Sequence, residues 1–179
     1  AARLQGLREH CKQAGLAVLA QSSPLFTDGF CLQDPDGRLL AFGAETGTTT
    51  LGDIAGKLRG RLQHVVVATT NLPAMTDFYQ SKVGFAISDH VIEAGDDQET
   101  TASFFRSDPE HHSFGAFRAP ESRPDHFSLE VDSWNDIRDW ADHMAALGIK
   151  IWWGPGRHGP GNNLFFMIED PEGYKLELS

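Results

Sequence analysis

The segment AGLAVLAQ…FCLQDPDGRLLAF near the start of the chain returns in altered form at its end as LGIKIWWG…FFMIEDPEGYKLEL. Each copy has a Gly-led strand, a D-P-[DE]-G turn and a closing strand. The turns, Asp34-Pro35-Asp36-Gly37 and Asp170-Pro171-Glu172-Gly173, are strong chain-reversal signals. A repeat constrains the fold more than any single motif does, because each unit must bury its apolar face against another.

Periodicity and punctuation extend the repeat along the chain. A helix is predicted over 3–14, with Leu4, Leu7, Arg8 and Cys11 at helical spacing and Gly15 as its stop, followed by strands at 16–21, 29–33 and 38–42. A second run opens with a strand at 62–69 and a helix over 71–81, begun by Asn71 and Pro73, then strands at 85–92, 100–106 and 113–118. A third run has a strand at 125–132, a helix over 134–146 capped by Ser133 and stopped by Gly148, and strands at 149–153, 163–169 and 173–178. The unit is β-α-β-β-β, complete in the second and third runs, while the first lacks its opening strand. This predicts an α+β fold of repeated βαβββ units paired into a curved mixed sheet. Residues 1–43 read as the second half of an N-terminal βαβββ domain, 44–61 as a Gly- and Thr-rich linker, and 62–179 as a C-terminal domain of two units.

Charge and cysteine content narrow the function. Twenty-five acids against 15 bases give a formal charge of −10, which argues against nucleic acid or an anionic membrane as partner. No apolar stretch approaches the roughly 20 residues of a membrane helix. The opening AARLQGLREHCKQAG reads as an amphipathic helix and not as a signal peptide. Cys11 and Cys31 are too few for a disulfide framework or a four-thiolate zinc site, and read as free thiols in a reducing cytoplasm.

Eight histidines need sorting. His10 and His143 lie in predicted amphipathic helices and read as solvated; His90, near a strand end, reads as surface. His64 and His126 are different, because they occupy the same position, the opening strand, in both complete units. Either alone would read as a satisfied core histidine. In the final strand, alternation sets Leu176 and Leu178 on one face and Lys175, Glu177 and Ser179 on the other. Two histidines and one carboxylate from three strands match the facial triad of non-haem Fe(II) oxygenases, which keeps open positions for substrate and O₂. The first repeat is an internal control. Seven residues beyond Asp170 stands Glu177, and seven beyond Asp34 stands Ala41, so the first repeat has no carboxylate and reads as scaffold.

These residues resemble the vicinal oxygen chelate (glyoxalase/bleomycin resistance) superfamily and, within it, the type I extradiol catechol dioxygenases. The order His64, His126, Glu177, with gaps of 62 and 51 residues, follows the family's metal triad, and WGPGRHGPGNN at 153–163 is specific to this group. The resemblance covers 62–179, while 3–42 resembles the second half of the family's metal-free N-terminal domain. It implies a non-haem Fe(II) enzyme, with Mn(II) accepted by the same ligands, that opens a catechol-type ring beside its vicinal diol using O₂. It also implies a place in aromatic hydrocarbon catabolism, in the cytoplasm, as a homo-oligomer. His112, 14 residues before His126, matches an acid–base histidine of the family, and His158 one that contacts the substrate hydroxyl. His111 reads as part of an exposed turn.

Nine residues beyond His158, where the family usually carries a tyrosine, stands Met167. Met167, Asn162, Phe114 and Trp153 are the weaker substrate-binding candidates. Trp152, Phe104, Phe165 and Phe166 are further apolar candidates for the walls. A metal-dependent isomerase or hydrolase of the glyoxalase type is the main alternative. A metal-free small-molecule binding module is the second, and the three intact donors argue against it. Because the first unit lacks an opening strand and a partner unit, a preceding segment of about fifty to a hundred residues is expected. It would be a separate chain or a removed piece, unless another subunit supplies the missing face.

Overall fold

A computed structural model describes residues 2–21, 23–45, 58–95 and 98–179. It contains α1 (Ala2–Gln13), β1 (Leu19–Ala20), β2 (Phe26–Gln33), β3 (Leu39–Glu45), β4 (Arg61–Thr69), α2 (Leu72–Asp77), β5 (Ala86–Ile92), β6 (Thr100–Arg106) and β7 (Phe114–Arg118). It continues with β8 (Arg123–Glu130), α3 (Trp134–Ala146), β9 (Ile151–Arg157), β10 (Leu164–Glu169) and β11 (Lys175–Leu178). Most of the linker expected at 44–61 lies outside the described residues; β3 runs through Glu45 and β4 begins at Arg61.

The predicted pairing of units is realised in one eight-stranded sheet, ordered β5-β6-β7-β4-β8-β11-β10-β9. In each half the opening strand lies parallel to the closing one, β4 to β7 and β8 to β11, and the two opening strands meet antiparallel. The halves are thus related by a local two-fold between β4 and β8. The repeated turns close identically. Asp34 Oδ1 accepts from the amides of Asp36 and Arg38, and Asp170 Oδ1 from those of Glu172 and Tyr174, all at 2.8–3.0 Å. Gly37 and Gly173 follow at φ +85° and +90°, a conformation in which a side chain would be strained.

Local chemistry sets the helices. The Asn71 side chain accepts from the Ala74 amide at 3.1 Å, with Pro73 in the first turn where no amide donor is required. The helix continues as a π-turn over Phe78–Val83 and stops at Gly84, φ +93°. The Ser133 hydroxyl caps α3 through the Asp136 amide. Helix α3 packs Ile137 and Met144 on Phe166, Ile168 and Leu178. Helix α2 and the π-turn pack Met75, Phe78 and Tyr79 on Val67 and Phe105, and Cys11, Phe30 and Leu32 of the first unit join the same cluster.

Two strands depart from expectation. The strand expected at 16–21 shrinks to Leu19–Ala20, paired only with Phe30 and Cys31. The strand expected at 149–153 runs instead over Ile151–Arg157. It sits at the sheet edge, where Pro155 is tolerated because no neighbour needs its missing amide hydrogen.

Candidate metal centre

His64, Ser128, Glu177, Met167 and Trp153 lie side by side in register on β4, β8, β11, β10 and β9. Residues in register face the same way, so this row crosses the face of the sheet opposite the helices. Leu176 and Leu178, displaced by one residue, point into the α3 core. The expected alternation of the last strand therefore holds, and Glu177 faces the cavity.

Two β-bulges shape the centre. On β4 the register steps from Leu62↔Leu129 to His64↔Ser128, leaving Gln63 as the extra residue. On β8 it steps from Val66↔His126 to Val67↔Pro124, leaving Asp125 extra. Each bulged residue directly precedes a histidine and takes its Nδ1. His64 Nδ1 donates to Gln63 Oε1 at 3.1 Å, and His126 Nδ1 donates to Asp125 Oδ2 at 2.9 Å. Fixing Nδ1 as the protonated nitrogen leaves both Nε2 atoms with free lone pairs, the arrangement that orients imidazoles toward a metal.

Those Nε2 atoms lie 3.4 Å apart, and His64 Nε2 lies 3.8 Å from Glu177 Oε1. The three donors gather within 4.8 Å of one another. Glu177 is wholly buried. Its oxygens meet the Ser128 hydroxyl at 3.2 Å and His158 Nε2 at 3.0 Å. Among the described residues no lysine or arginine pairs with it. A buried carboxylate with such partners is costly unless a cation is present. Burial, then the neighbouring imidazoles led by His112, pushes His64 down to about 2, so it stays neutral and able to donate its lone pair. Burial raises and the hydrogen bonds from His126 and Arg123 lower the Asp125 carboxyl, which ends below its usual range. Two imidazole nitrogens and one carboxylate on one side suit a divalent first-row metal with open positions. The residues present fit such an ion.

Around the donors lies a cavity of about 220 Å³. The His112 ring is 4.2 Å from that of His64 and 4.8 Å from that of Phe104. Burial, opposed by Glu177 and aided by His111, lowers His112 to about 4. The His158 ring stacks on Phe165 at 3.7 Å, with Trp153 against the same phenyl ring.

Other expectations need correction. Phe114 does not line the cavity; it packs against Tyr79 and Phe105 on the helix side, and Phe104 forms the wall. Asn162 is exposed at φ +58° with its carbonyl accepting from Arg157, and its neighbour Asn163 lines the cavity. Phe166 belongs to the α3 core. His111 is not a free turn residue: its Nδ1 lies 2.9 Å from His112 Nδ1. His90 is exposed as expected, but lies inside β5 with Nδ1 3.0 Å from the buried Ser103 hydroxyl. Sequence reasoning missed Gln63, Asp125, Ser128 and Ser179. Ser179 Oγ lies 2.9 Å from Ser128 Oγ and donates to Gln63 Oε1 at 3.2 Å, tying the Glu177 side of the triad to the His64 side. The signal available was a hydrogen-bond acceptor immediately before both histidines.

Fold and donors together define a protein of paired βαβββ units whose sheet carries a two-histidine, one-carboxylate site. Residues 61–178 match the Glyoxalase/Bleomycin resistance protein/Dioxygenase superfamily, and the chain belongs to it. It is 27% identical to metapyrocatechase 2 of Cupriavidus necator, over 97% of this chain and 59% of that protein. It is likewise 27% identical to an iron-dependent extradiol dioxygenase of Rhodococcus jostii, over 99% of this chain and 66% of that protein. The crystal structure of a Mn(II)-bound glyoxalase from Novosphingobium aromaticivorans superposes with a TM-score of 0.78 at 26% identity, covering 99% of this chain and 58% of that one. The chain thus spans about three-fifths to two-thirds of the length of these curated relatives.

Proposed function

We propose that this chain carries the catalytic centre of an extradiol dioxygenase, which cleaves a catechol-type aromatic vicinal diol with O₂. The observation that carries it is a His64–His126–Glu177 donor set whose open side faces an apolar cavity flanked by two further histidines. In this reading 62–179 is the catalytic domain and 1–43 a metal-free scaffold joined through 44–61. Fe(II) is the first choice of ion, and Mn(II) takes the same donors. An ion held there would supply chelation of the diol and the electron relay between ring and O₂.

The chain's own residues then have separable tasks. Gln63 and Asp125 hold the two imidazoles in the required tautomer. His158 donates to Glu177 Oε2, orienting the carboxylate from the substrate side. His112 has Nδ1 engaged by His111, so Nε2 is left to exchange a proton with a diol oxygen. Phe104, Trp153 and Met167 exclude water from the ring and orient it. A homo-oligomer is part of the proposal, supported by exposed Leu62, Val65 and Tyr174 beside one surface depression.

A glyoxalase-type isomerase or hydrolase is the second reading, favoured by the likeness to the Mn(II)-bound glyoxalase. Metal analysis of the purified protein followed by O₂ uptake with a panel of catechols separates the two. Stoichiometric O₂ consumption with ring opening supports the dioxygenase. A metal-loaded protein that binds no catechol and consumes no O₂ overturns it.

A further inference from the structure

We propose that the cavity selects catechols bearing an uncharged, apolar ring substituent and rejects those bearing a ring carboxylate; this rests on the ring-cleavage reading above. The lining sets the donor triad, His112 and His158 among apolar side chains: Val66, Phe104 and Phe117 of the second unit and Trp152, Trp153 and Met167 of the third. A diol anchored at the triad leaves its ring and ring substituent against these apolar walls.

Charge decides what these walls accept. Among the described residues no lysine or arginine lines the cavity, whereas two carboxylates, Asp125 and Glu177, do. Cations bonded to or adjoining lining residues are engaged in other contacts. Arg123 Nη1 donates to Asp125 Oδ1 at 2.6 Å. Lys175 pairs with Glu169 and sits 4.8 Å over the Trp152 ring. Arg157 Nη1 donates to the Asn162 carbonyl at 2.7 Å. The Asn163 amide lies 3.5 Å from Gln63 Oε1. A substituent carboxylate entering here would lose its water without gaining a cation, which is strongly unfavourable. The chain's formal charge of −10 adds a long-range penalty for anions. The volume of about 220 Å³ lies below the roughly 300–1,000 Å³ typical of drug-sized ligands, and favours one ring with a small substituent.

The test uses 4-ethylcatechol and 3,4-dihydroxyphenylacetate, with 3,4-dihydroxyphenylacetamide, which has the shape of the acetate, as a polar but uncharged control that separates charge from size. Binding to the Fe(II)-loaded protein is measured without oxygen, and kcat/KM by O₂ uptake. The carboxylate is expected to bind at least about 100-fold more weakly than the ethyl compound, with the amide between them. Because long-range repulsion is screened by salt and a cavity effect is not, the ratio should persist at about 1 M salt. Trp152→Arg, at a half-exposed position, should narrow the ratio at least about tenfold by supplying a cation at the rim. Equal binding, preference for the carboxylate, or a ratio unmoved by Trp152→Arg would overturn the proposal. Discriminating binding without O₂ uptake would sink the ring-cleavage reading and leave the selectivity standing. Failure of every catechol to bind would overturn both.

Discussion

His64 and Gln63 are consecutive in the chain, yet the Gln63 amide oxygen accepts from its neighbour's ring at 3.1 Å. In a regular strand successive side chains point to opposite faces. The bulge at Gln63 removes that restriction, and the bulge at Asp125 does the same for His126. The local two-fold thus supplies both imidazoles with a built-in acceptor, an amide on one side and a carboxylate on the other. Gln63→Leu keeps the volume and removes the acceptor. Metal affinity should fall about 10–100-fold, read by competition with a chromophoric chelator. Unchanged affinity would show that the tautomer of His64 is set by something else.

Glu177 separates metal binding from folding. Glu177→Gln removes the buried charge but keeps the shape and the Ser128 contact. The metal-free variant should be more stable than metal-free wild type by about 1–3 kcal/mol, since a buried charge without a compensating cation is costly. The same variant should lose tight metal binding. Urea denaturation with and without chelator measures the first, and metal content after gel filtration the second. Full metal occupancy in Glu177→Gln or Glu177→Ala would remove Glu177 from the donor set.

The triad was legible in the sequence because repetition made it so: His64 and His126 stand at one position of the unit, and Glu177 stands where Ala41 shows the unligated version. The walls were legible only in part: Met167, Trp152, Trp153 and Phe104 line the cavity as expected, while Phe114 and Phe166 do not, because facing is decided one residue at a time. Phe104 and Phe114 both fall in correctly expected strands, but register places one on the cavity side and the other in the helix-side core. A slip of one residue reverses every such assignment. Asn162 and Asn163 are separated in the same way, by a turn with Asn162 at φ +58° that exposes the first and admits the second. Gln63 and Asp125 were hidden because a bulge is a property of two paired strands, and neither strand alone announces it.

His112 and His158 should matter for turnover more than for metal binding. Neither is in the donor triad, and both line the cavity. His112→Ala should retain metal and bind a catechol while kcat falls about 10²–10⁴-fold, the range for loss of a positioned acid–base group. His158→Ala should also loosen Glu177, so some metal affinity goes with it. Normal kcat in His112→Ala would reduce His112 to a packing residue.

Met167 lies opposite both Glu177 and Trp153 in the strand register. Methionine offers an apolar wall there and no hydroxyl. Met167→Tyr should place a phenol at the cavity edge and tighten or accelerate simple catechols, read as a fall in KM or a rise in kcat/KM. Loss of catechol binding in that variant would show instead that the cavity has no room for a second ring at this position.

Acid should destabilise the metal-free protein earlier than its carboxylates alone would. Burial lowers His64 to about 2 and His112 to about 4, both from an ordinary value of 6.5. In the unfolded chain both rings regain the ordinary value, so below that pH the unfolded state binds more protons than the folded one. Unfolding free energy then rises with pH, and stability is lost as pH falls. Above 6.5 neither ring contributes. Between there and about 4 both do, at up to about 1.4 kcal/mol per pH unit each. Below about 4 His112 gains its proton in the folded state too, and only His64 continues. Urea midpoints of chelator-treated protein across this range should therefore slope downward toward acid. His112→Ala should reduce the slope by up to half, an internal difference that other titrating groups share and cancel. Equal slopes in wild type and His112→Ala between pH 6.5 and 4 would show that His112 is solvated in the metal-free state and not enclosed beside His64.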